Sequence, residues 1–378
     1  MTSNFASKAS NTMSKLPIAF IGVGDVATRD YLPEFHRIAD RTEIVAMCGR
    51  TPERVAAVAR EYGAAPFTDY RQMLAECGAE AVVNLTPVQL HAETNLAAIA
   101  AGKHLYSEKT FAATVAEASA LEREATARGL TVVCAPCVLL WPQYRRAEAL
   151  LAEAAIGEVF AAHASLPAAA PPWGGYTSDP GHFFARGAGP VKDMGVYALH
   201  ALTGLLGPVR RVSAFAARTI DQFTPEDGPA RGRAIPVEVP LNWQLILEHG
   251  GGRLSSLTVN FCTSWESRAP QLELIGTAGA LGMNLIDVAA PLLLLRSGSA
   301  WEELAVPISG RAGGPDHIMG VEHLAACVAQ GRMPLLSMAH AIHVLDIIES
   351  AERSAEEGCA VTVATSFTPA EATAALIS

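Results

Sequence analysis

The first third of the chain alternates short apolar runs with stretches of helical periodicity. Pro17 to Gly22 reads as a strand, followed by a helix through Asp30 to Ala39. Glu43 to Cys48 is a second strand. Pro52 to Tyr62 is a helix with Thr51 as its N-cap and proline at its first position. Ala81 to Leu85 is a third strand, and His91 to Ala101 a helix stopped by Gly102. His104 to Ser107 is a strand, Val115 to Arg128 a helix stopped by Gly129, and Thr131 to Cys134 a further strand. Alternation at this spacing predicts βαβ units on a parallel sheet, doubly wound by right-handed crossovers.

Beyond Pro136 the pattern changes. Trp141 to Ala155 is helical, but Phe160 to Pro190 is rich in Ala, Pro, Gly and aromatics. Asp193 to Leu206 is a helix ending at Gly207-Pro208. Strand-like segments follow: Arg211 to Ala217, Val237 to Glu248, Arg253 to Phe261, Gln271 to Gly276, Gly279 to Asn284 and Leu292 to Leu295. Most have no helix between them, which predicts a largely antiparallel sheet. His317 to Gln330 and Met338 to Glu357 are late helices. The expected division is a disordered tail over 1–15, a dinucleotide-binding domain over 16–135 and an α+β domain over 136–378 that binds substrate and oligomerises.

Composition narrows the classes. With 50% hydrophobic and 17% charged residues the chain is globular rather than disordered. A net charge of −10 argues against a nucleic-acid or anionic-membrane surface. No apolar run is long enough to span a bilayer. The seven cysteines lack a framework spacing, which points to a reducing, cytoplasmic setting. Cys134-x-x-Cys137 has no second pair to make a zinc site, so no metal is expected; the two read as buried strand-end cysteines, with a redox pair as the alternative.

Gly22-x-Gly24-x-x-Ala27 follows a strand and opens a helix. The first glycine permits the tight turn, the second lets backbone approach a pyrophosphate, and Ala27 allows close packing. Backbone N–H groups at Asp25 and Val26 then face phosphates. A glycine turn without a ligand is the bland alternative. The second strand ends in Cys48-Gly49-Arg50-Thr51, with no acid for a ribose hydroxyl. Arg50 and Arg54 suit a 2′-phosphate, which favours NADP; the alternative is that Arg50 stacks on adenine and NAD is used. Thr86-Pro87 would wall the nicotinamide. His91 either orients a ligand or caps its helix.

Glu108-Lys109-Thr110 ends the next strand, where a lysine can stabilise negative charge developing on a reacting oxygen. Asp193, Tyr197 and His200 fall on one helix face at i, i+4 and i+7. A cation beside Tyr197 would lower its phenol pKa from about 10 and fit it for proton transfer. Asp193 could accept a substrate hydroxyl. Trp173 and His182 are candidate substrate contacts beside a polyol ring; covering the sheet edge explains the aromatics of that stretch equally well.

At these residues the sequence resembles the Gfo/Idh/MocA family, named for glucose–fructose oxidoreductase, inositol dehydrogenase and rhizopine catabolism. The resemblance spans nearly the whole chain. It rests on the loop Gly22 to Ala27, Thr86-Pro87 with His91, Ala101-Gly102-Lys103-His104, Glu108-Lys109, Ile156-Gly157-Glu158, Gly189 to Tyr197 and Ile275-Gly276-Thr277-Ala278-Gly279. It implies a Rossmann domain followed by a domain on a large, mostly antiparallel open sheet, through which members form homodimers or homotetramers. It also implies oxidation or reduction of a hydroxyl or ketone on sugars, inositols and related polyols with NAD or NADP. Lys109, Asp193 and Tyr197 are then the catalytic candidates. Two departures stand out. The usual Glu-Lys-Pro reads Glu108-Lys109-Thr110, which loosens the loop. The frequent Asp-x-x-x-His reads Asp193-x-x-x-Tyr197, like the branch with dihydrodiol dehydrogenases, and His200 is not the usual histidine position. The rival readings are a cofactor-binding sensor or regulator without turnover, and a reductase of aromatic diols or dicarbonyls.

Overall fold

The computed structural model describes residues 15–173, 176–263, 270–307 and 314–369. The expected tail therefore lies, apart from Lys15, outside the described residues. Six strands form the first sheet: β1 (Leu16–Ile21), β2 (Thr42–Cys48), β3 (Ala65–Phe67), β4 (Ala81–Asn84), β5 (His104–Ser107) and β6 (Val132–Cys134). All are parallel, in the order β3-β2-β1-β4-β5-β6. The order reverses beside β1, so the carboxyl ends of β1, β2, β4 and β5 open onto one crevice. Helices α1 (Pro52–Glu61), α2 (Tyr70–Glu76), α3 (Val88–Ala100) and α4 (Val115–Ala127) connect them. Helix α4 begins with a capping box, Thr114 with Glu117.

The helix expected through Asp30 to Ala39 is broken. A π-turn over Ala27–Tyr31, closed by the Leu32 N–H on the Ala27 carbonyl, gives way to a 3-10 turn over Leu32–Arg37. Pro33 is the cause: it has no N–H for the Arg29 carbonyl, and its ring crowds the preceding turn.

The second sheet has nine strands: β7 (Val159–Pro167), β8 (Val209–Ala217), β11 (Asn242–His249), β12 (Leu254–Asn260), β13 (Leu272–Gly276), β14 (Gly279–Met283), β15 (Leu292–Arg296), β16 (Glu302–Leu304) and β17 (Val361–Thr362). A separate hairpin pairs β9 (Gln222–Phe223) with β10 (Ile235–Pro236). In the large sheet β7 and β12 pair in parallel, and the other pairings among the described residues are antiparallel. Strand β7, from an Ala-rich stretch not expected to be extended, lies in the middle between β13 and β12. Its weak β propensity hid it; pairing on both sides holds it. The strand expected from Val237 starts at Asn242, after Pro240, which has no ladder donor.

Helices α5 (Pro142–Ala152), α6 (Val196–Leu206), α7 (Ile318–Gln330) and α8 (Met338–Glu357) complete the chain. The late helices return to the first sheet. Cys134 N donates to the Leu336 carbonyl at 3.1 Å, and Ala341, Ile342 and Leu345 share a core with Ile99, Leu105 and Leu121. Among the described residues no helix is long and apolar enough to cross a membrane.

Candidate active site

The glycine loop is built as its sequence requires. Gly22 has φ +97°, and a Cβ there would lie 2.7 Å from the Leu85 carbonyl carbon. Only glycine fits that approach to the end of β4. A Cβ on Gly24 would meet nothing within 4 Å. That open space faces the crevice, and it is the cradle a pyrophosphate needs. A nicotinamide dinucleotide therefore fits the residues present, with Gly24, Asp25 and Val26 at the phosphates and Gly49, Arg50, Thr51 and Arg54 at the adenosine end. All of these line a cleft of about 1170 Å³, as do Gly22, Thr86, Pro87, Glu108 and Lys109. Ala27 does not; it is fully buried against the sheet.

His91 is buried within the first turn of α3, and its two ring nitrogens face the Thr110 carbonyl at 2.5 Å and the Thr86 carbonyl at 2.7 Å. It ties two cleft loops together from behind rather than lining the cleft. The same loops are knitted by Asn84, which donates to Thr94 Oγ1 and Asn95 Oδ1, each at 2.7 Å, while Asn95 Nδ2 donates to Ser107 Oγ at 2.9 Å. Thr110 does not leave the loop slack. Its hydroxyl donates to the Ala112 carbonyl at 2.8 Å and its own carbonyl is held by His91.

Lys109 and Asp193, 84 residues apart, meet in the cleft. Lys109 Nζ donates to Asp193 Oδ1 at 2.5 Å and to the Asp193 carbonyl at 3.0 Å. Burial works to lower the Lys109 pKa, but the Asp193 and Glu108 carboxylates outweigh it and hold the ammonium above its ordinary value. The Lys109 ammonium also sits 5.8 Å from the centroid of the Tyr197 ring, which stacks at 6.0 Å on buried Trp141. Tyr197 does not have the lowered pKa expected from its neighbour. Burial, then Glu108 and Asp193, push its phenol well above the usual value, because two carboxylates and a dry pocket oppose a phenolate more than one paired cation favours it.

His200 is not brought to this group. Residues Val191–Gly195 form a π-turn ahead of α6, so the helix face is not continuous from Asp193. His200 is buried, with Nδ1 at 2.9 Å from the Val196 carbonyl and its ring 4.8 Å from that of His340. Burial pushes its pKa down to about 4. Trp173 and His182 do line the cleft. Trp173 packs edge-to-face on Tyr176, Phe183 and Phe261. The Cys134 and Cys137 thiols are free and buried, and burial raises both pKa values, which suits the structural reading. Among the described residues there is no group of His, Cys, Asp and Glu able to hold a metal ion.

Several groups in or directly behind the cleft had no sequence signal, Tyr31 lying fully buried behind it. Tyr31 donates to Glu108 Oε1 and shares a 2.9 Å hydrogen bond with Tyr106. The His317 ring stacks on Tyr31 at 5.3 Å, with Nδ1 3.7 Å from Glu108 Oε1. Glu108 in turn accepts the Lys109 N–H at 2.9 Å, so this network fixes the backbone that carries the lysine. Lys192, Gln271 and Asn284 also line the cleft. Tyr31 lies one turn past the glycine loop, a position periodicity assigns to core; His317 comes from the far end of the chain.

Comparison with known proteins assigns both halves of the chain to one family. Residues 16–135 match the oxidoreductase family with NAD-binding Rossmann fold, and residues 144–282 match the GFO/IDH/MocA C-terminal domain. The dTDP-3,4-didehydro-2,6-dideoxy-alpha-D-glucose 3-reductase of Streptomyces violaceoruber is 32% identical over 208 residues, 55% of this chain and 59% of that protein. The D-glucoside 3-dehydrogenase of Escherichia coli (strain K12) is 30% identical over 222 residues, 56% of this chain and 61% of that one. The match thus spans about six-tenths of these relatives. Levoglucosan dehydrogenase, solved with NADH and L-sorbose, shares the fold with a TM-score of 0.82 at 20% identity, over 93% of this chain and 100% of that chain. With both halves of the chain matched, and the glycine loop and Lys109 gathered at one crevice, the protein belongs to the Gfo/Idh/MocA family of NAD-binding oxidoreductases.

Proposed function

We propose that the protein oxidises or reduces a secondary carbon of a sugar, inositol or related polyol. The observation that carries this reading is the convergence of Lys109, Asp193 and Tyr197 at the cofactor crevice. A bound nicotinamide dinucleotide supplies the hydride acceptor or donor. Lys109, kept cationic by Asp193, donates a hydrogen bond to the reacting oxygen and stabilises the charge that develops there. Asp193, its backbone held by Lys109, accepts from a neighbouring substrate hydroxyl. Tyr197, neutral because its pKa is raised, holds the proton at its hydroxyl and delivers it to a carbonyl oxygen in the reductive direction. The relatives named above as acting on sugars support the substrate class.

For the cofactor we infer a preference for NADP. Arg50 is exposed at the adenosine end, and Arg54, which gives Nη2 to Asp25 at 3.2 Å, lines the same cleft. No carboxylate ends β2 to repel a 2′-phosphate. We also infer a homo-oligomer formed through the outer face of the large sheet. Phe215, Ile246 and Leu254 stand there in diagonal register, 77%, 54% and 51% exposed.

The test is a panel of sugars, inositols, polyols and an aromatic dihydrodiol, run with NAD and NADP and read at the reduced-nicotinamide absorbance. Turnover on a sugar or polyol, lost in Lys109→Ala, supports the reading. Cofactor binding with no turnover on any compound supports a sensor instead. Turnover confined to the dihydrodiol would favour the aromatic reading, for which the Trp173–Tyr176–Phe183 wall provides the surface.

A further inference from the structure

One acid sits in the glycine loop itself, Asp25, directly after Gly24. Its side chain is 3% exposed, and three segments meet on it. Oδ2 accepts from Thr177 N at 2.9 Å, from Ser178 N at 2.7 Å and from Ser178 Oγ. Oδ1 accepts from Thr177 Oγ1 at 2.5 Å and from Arg54 Nη2 at 3.2 Å. Alone, a carboxylate beside N–H groups meant for a pyrophosphate would repel the ligand. Here five donors hold its charge and point it at the segment Tyr176–Phe184, some 150 residues downstream.

That segment is the far wall of the cleft: Tyr176, Ser178, His182 and Phe183 all line it. Its other cross-cleft tie is weak, the Arg29 guanidinium over the Tyr176 ring at 5.0 Å. Other contacts of the segment among the described residues, such as Asp179 with Arg233 and Phe183 with Trp173, lie within the C-terminal half. Among the described residues, the Asp25 carboxylate thus joins the cofactor loop to the substrate wall through four hydrogen bonds from Thr177 and Ser178. Burial by itself would raise the Asp25 pKa; the hydrogen bonds from Ser178, Thr177 and Arg54 more than reverse this, so the latch stays charged at any ordinary pH.

We propose that Asp25 is a positioning residue that latches Tyr176–Phe184 across the cofactor loop, setting both how fast the dinucleotide leaves and how the Tyr176–His182 wall meets substrate. This rests on the dinucleotide reading of the crevice. Release requires the segment to lift, so the latch acts on the departure step.

The experiment uses Thr177→Val/Ser178→Ala, which removes two donors and leaves the glycine loop intact, beside Asp25→Ala. Hydrogen exchange of peptides covering 176–184 is followed in the cofactor-free protein. Dissociation of reduced dinucleotide is followed by stopped-flow fluorescence, and kcat and KM by absorbance. Both variants should speed exchange of the segment and raise the dissociation rate by about tenfold. Both should raise KM for substrate more than they lower kcat. Exchange equal to the parent protein overturns the proposal. So does faster exchange with dissociation and KM unchanged, or an effect confined to Asp25→Ala, which would place the role in the loop alone. The exchange measurement needs neither cofactor nor substrate, so its failure is distinct from failure of the proposed reaction.

Discussion

Replacing Lys109 by methionine keeps most of the unbranched side chain and removes the cation from Asp193. The pair is nearly dry, at 17% and 15% side-chain exposure. Removing one partner of a buried pair costs about 3–5 kcal/mol, and the residual solvent contact places this pair near the lower end, about 3 kcal/mol. Lys109→Met and Asp193→Asn should each lose about that much in urea denaturation, by leaving the other group buried without its counter-ion. The double variant leaves no orphaned charge, and should recover about 1–3 kcal/mol relative to the sum of the singles. Turnover should behave differently. Losing a donor aimed at the reacting oxygen costs about 10²–10³ in kcat, and restoring neutrality does not bring the donor back. The double variant should therefore regain stability and stay slow. The pH dependence has a definite sign. The folded Lys109 pKa is raised, so its contribution is complete below the ordinary lysine value, about 10.4, and is lost as pH rises through the folded value. Lys109→Met should flatten alkaline destabilisation. A double variant no more stable than the sum of the singles, or Lys109→Met turning over within severalfold of the parent, would refute the reasoning.

Tyr197→Phe keeps the stack on Trp141 and removes only the proton carrier. Turnover should fall by about 10²–10⁴ with melting temperature nearly unchanged. Gly22→Ala forces a Cβ into the β4 carbonyl and should destabilise by about 2–4 kcal/mol in thermal or urea unfolding. Gly24→Ala meets nothing, so it should fold normally yet weaken dinucleotide binding in a titration. Arg50→Ala should raise KM for NADP by about tenfold or more and leave KM for NAD nearly unchanged. Phe215→Glu with Ile246→Lys should reduce the mass seen by light scattering to that of one chain, with the fold kept by circular dichroism.

The features legible in the sequence are those specified by local rules. The strand–glycine–helix unit at Gly22, the caps that stop α3 and α4, and the period-2 strands of the second half depend on residues within a few positions of one another. Even the breaks are local once the donor count is made. Pro33 ends the helix after the glycine loop, and Pro240 delays β11, because neither has an N–H to give. Strand β7 was not legible: its Ala-rich run gains its place from neighbours β12 and β13, which lie about a hundred residues away.

The chemistry divides along the same line. Sequence alone pointed to a dinucleotide loop, a strand-end lysine, and Asp193 and Tyr197 close together downstream. Only the tertiary structure decided which of these act on one another. It joined Lys109 to Asp193, set His200 apart from them, and gave His91, read as ligand contact or helix cap, hydrogen bonds to the Thr86 and Thr110 carbonyls. It also reversed the expected pKa of Tyr197, because the phenol feels Glu108 and Asp193 in a dry pocket as well as the lysine. The physical reason is range. Propensity and capping are settled within a turn or two of chain, whereas desolvation and charge pairing depend on what other segments bring within a few ångströms. Asp25 is the sharpest case: one more polar residue in a glycine loop by sequence, it is the anchor of a segment 150 residues away in the folded protein.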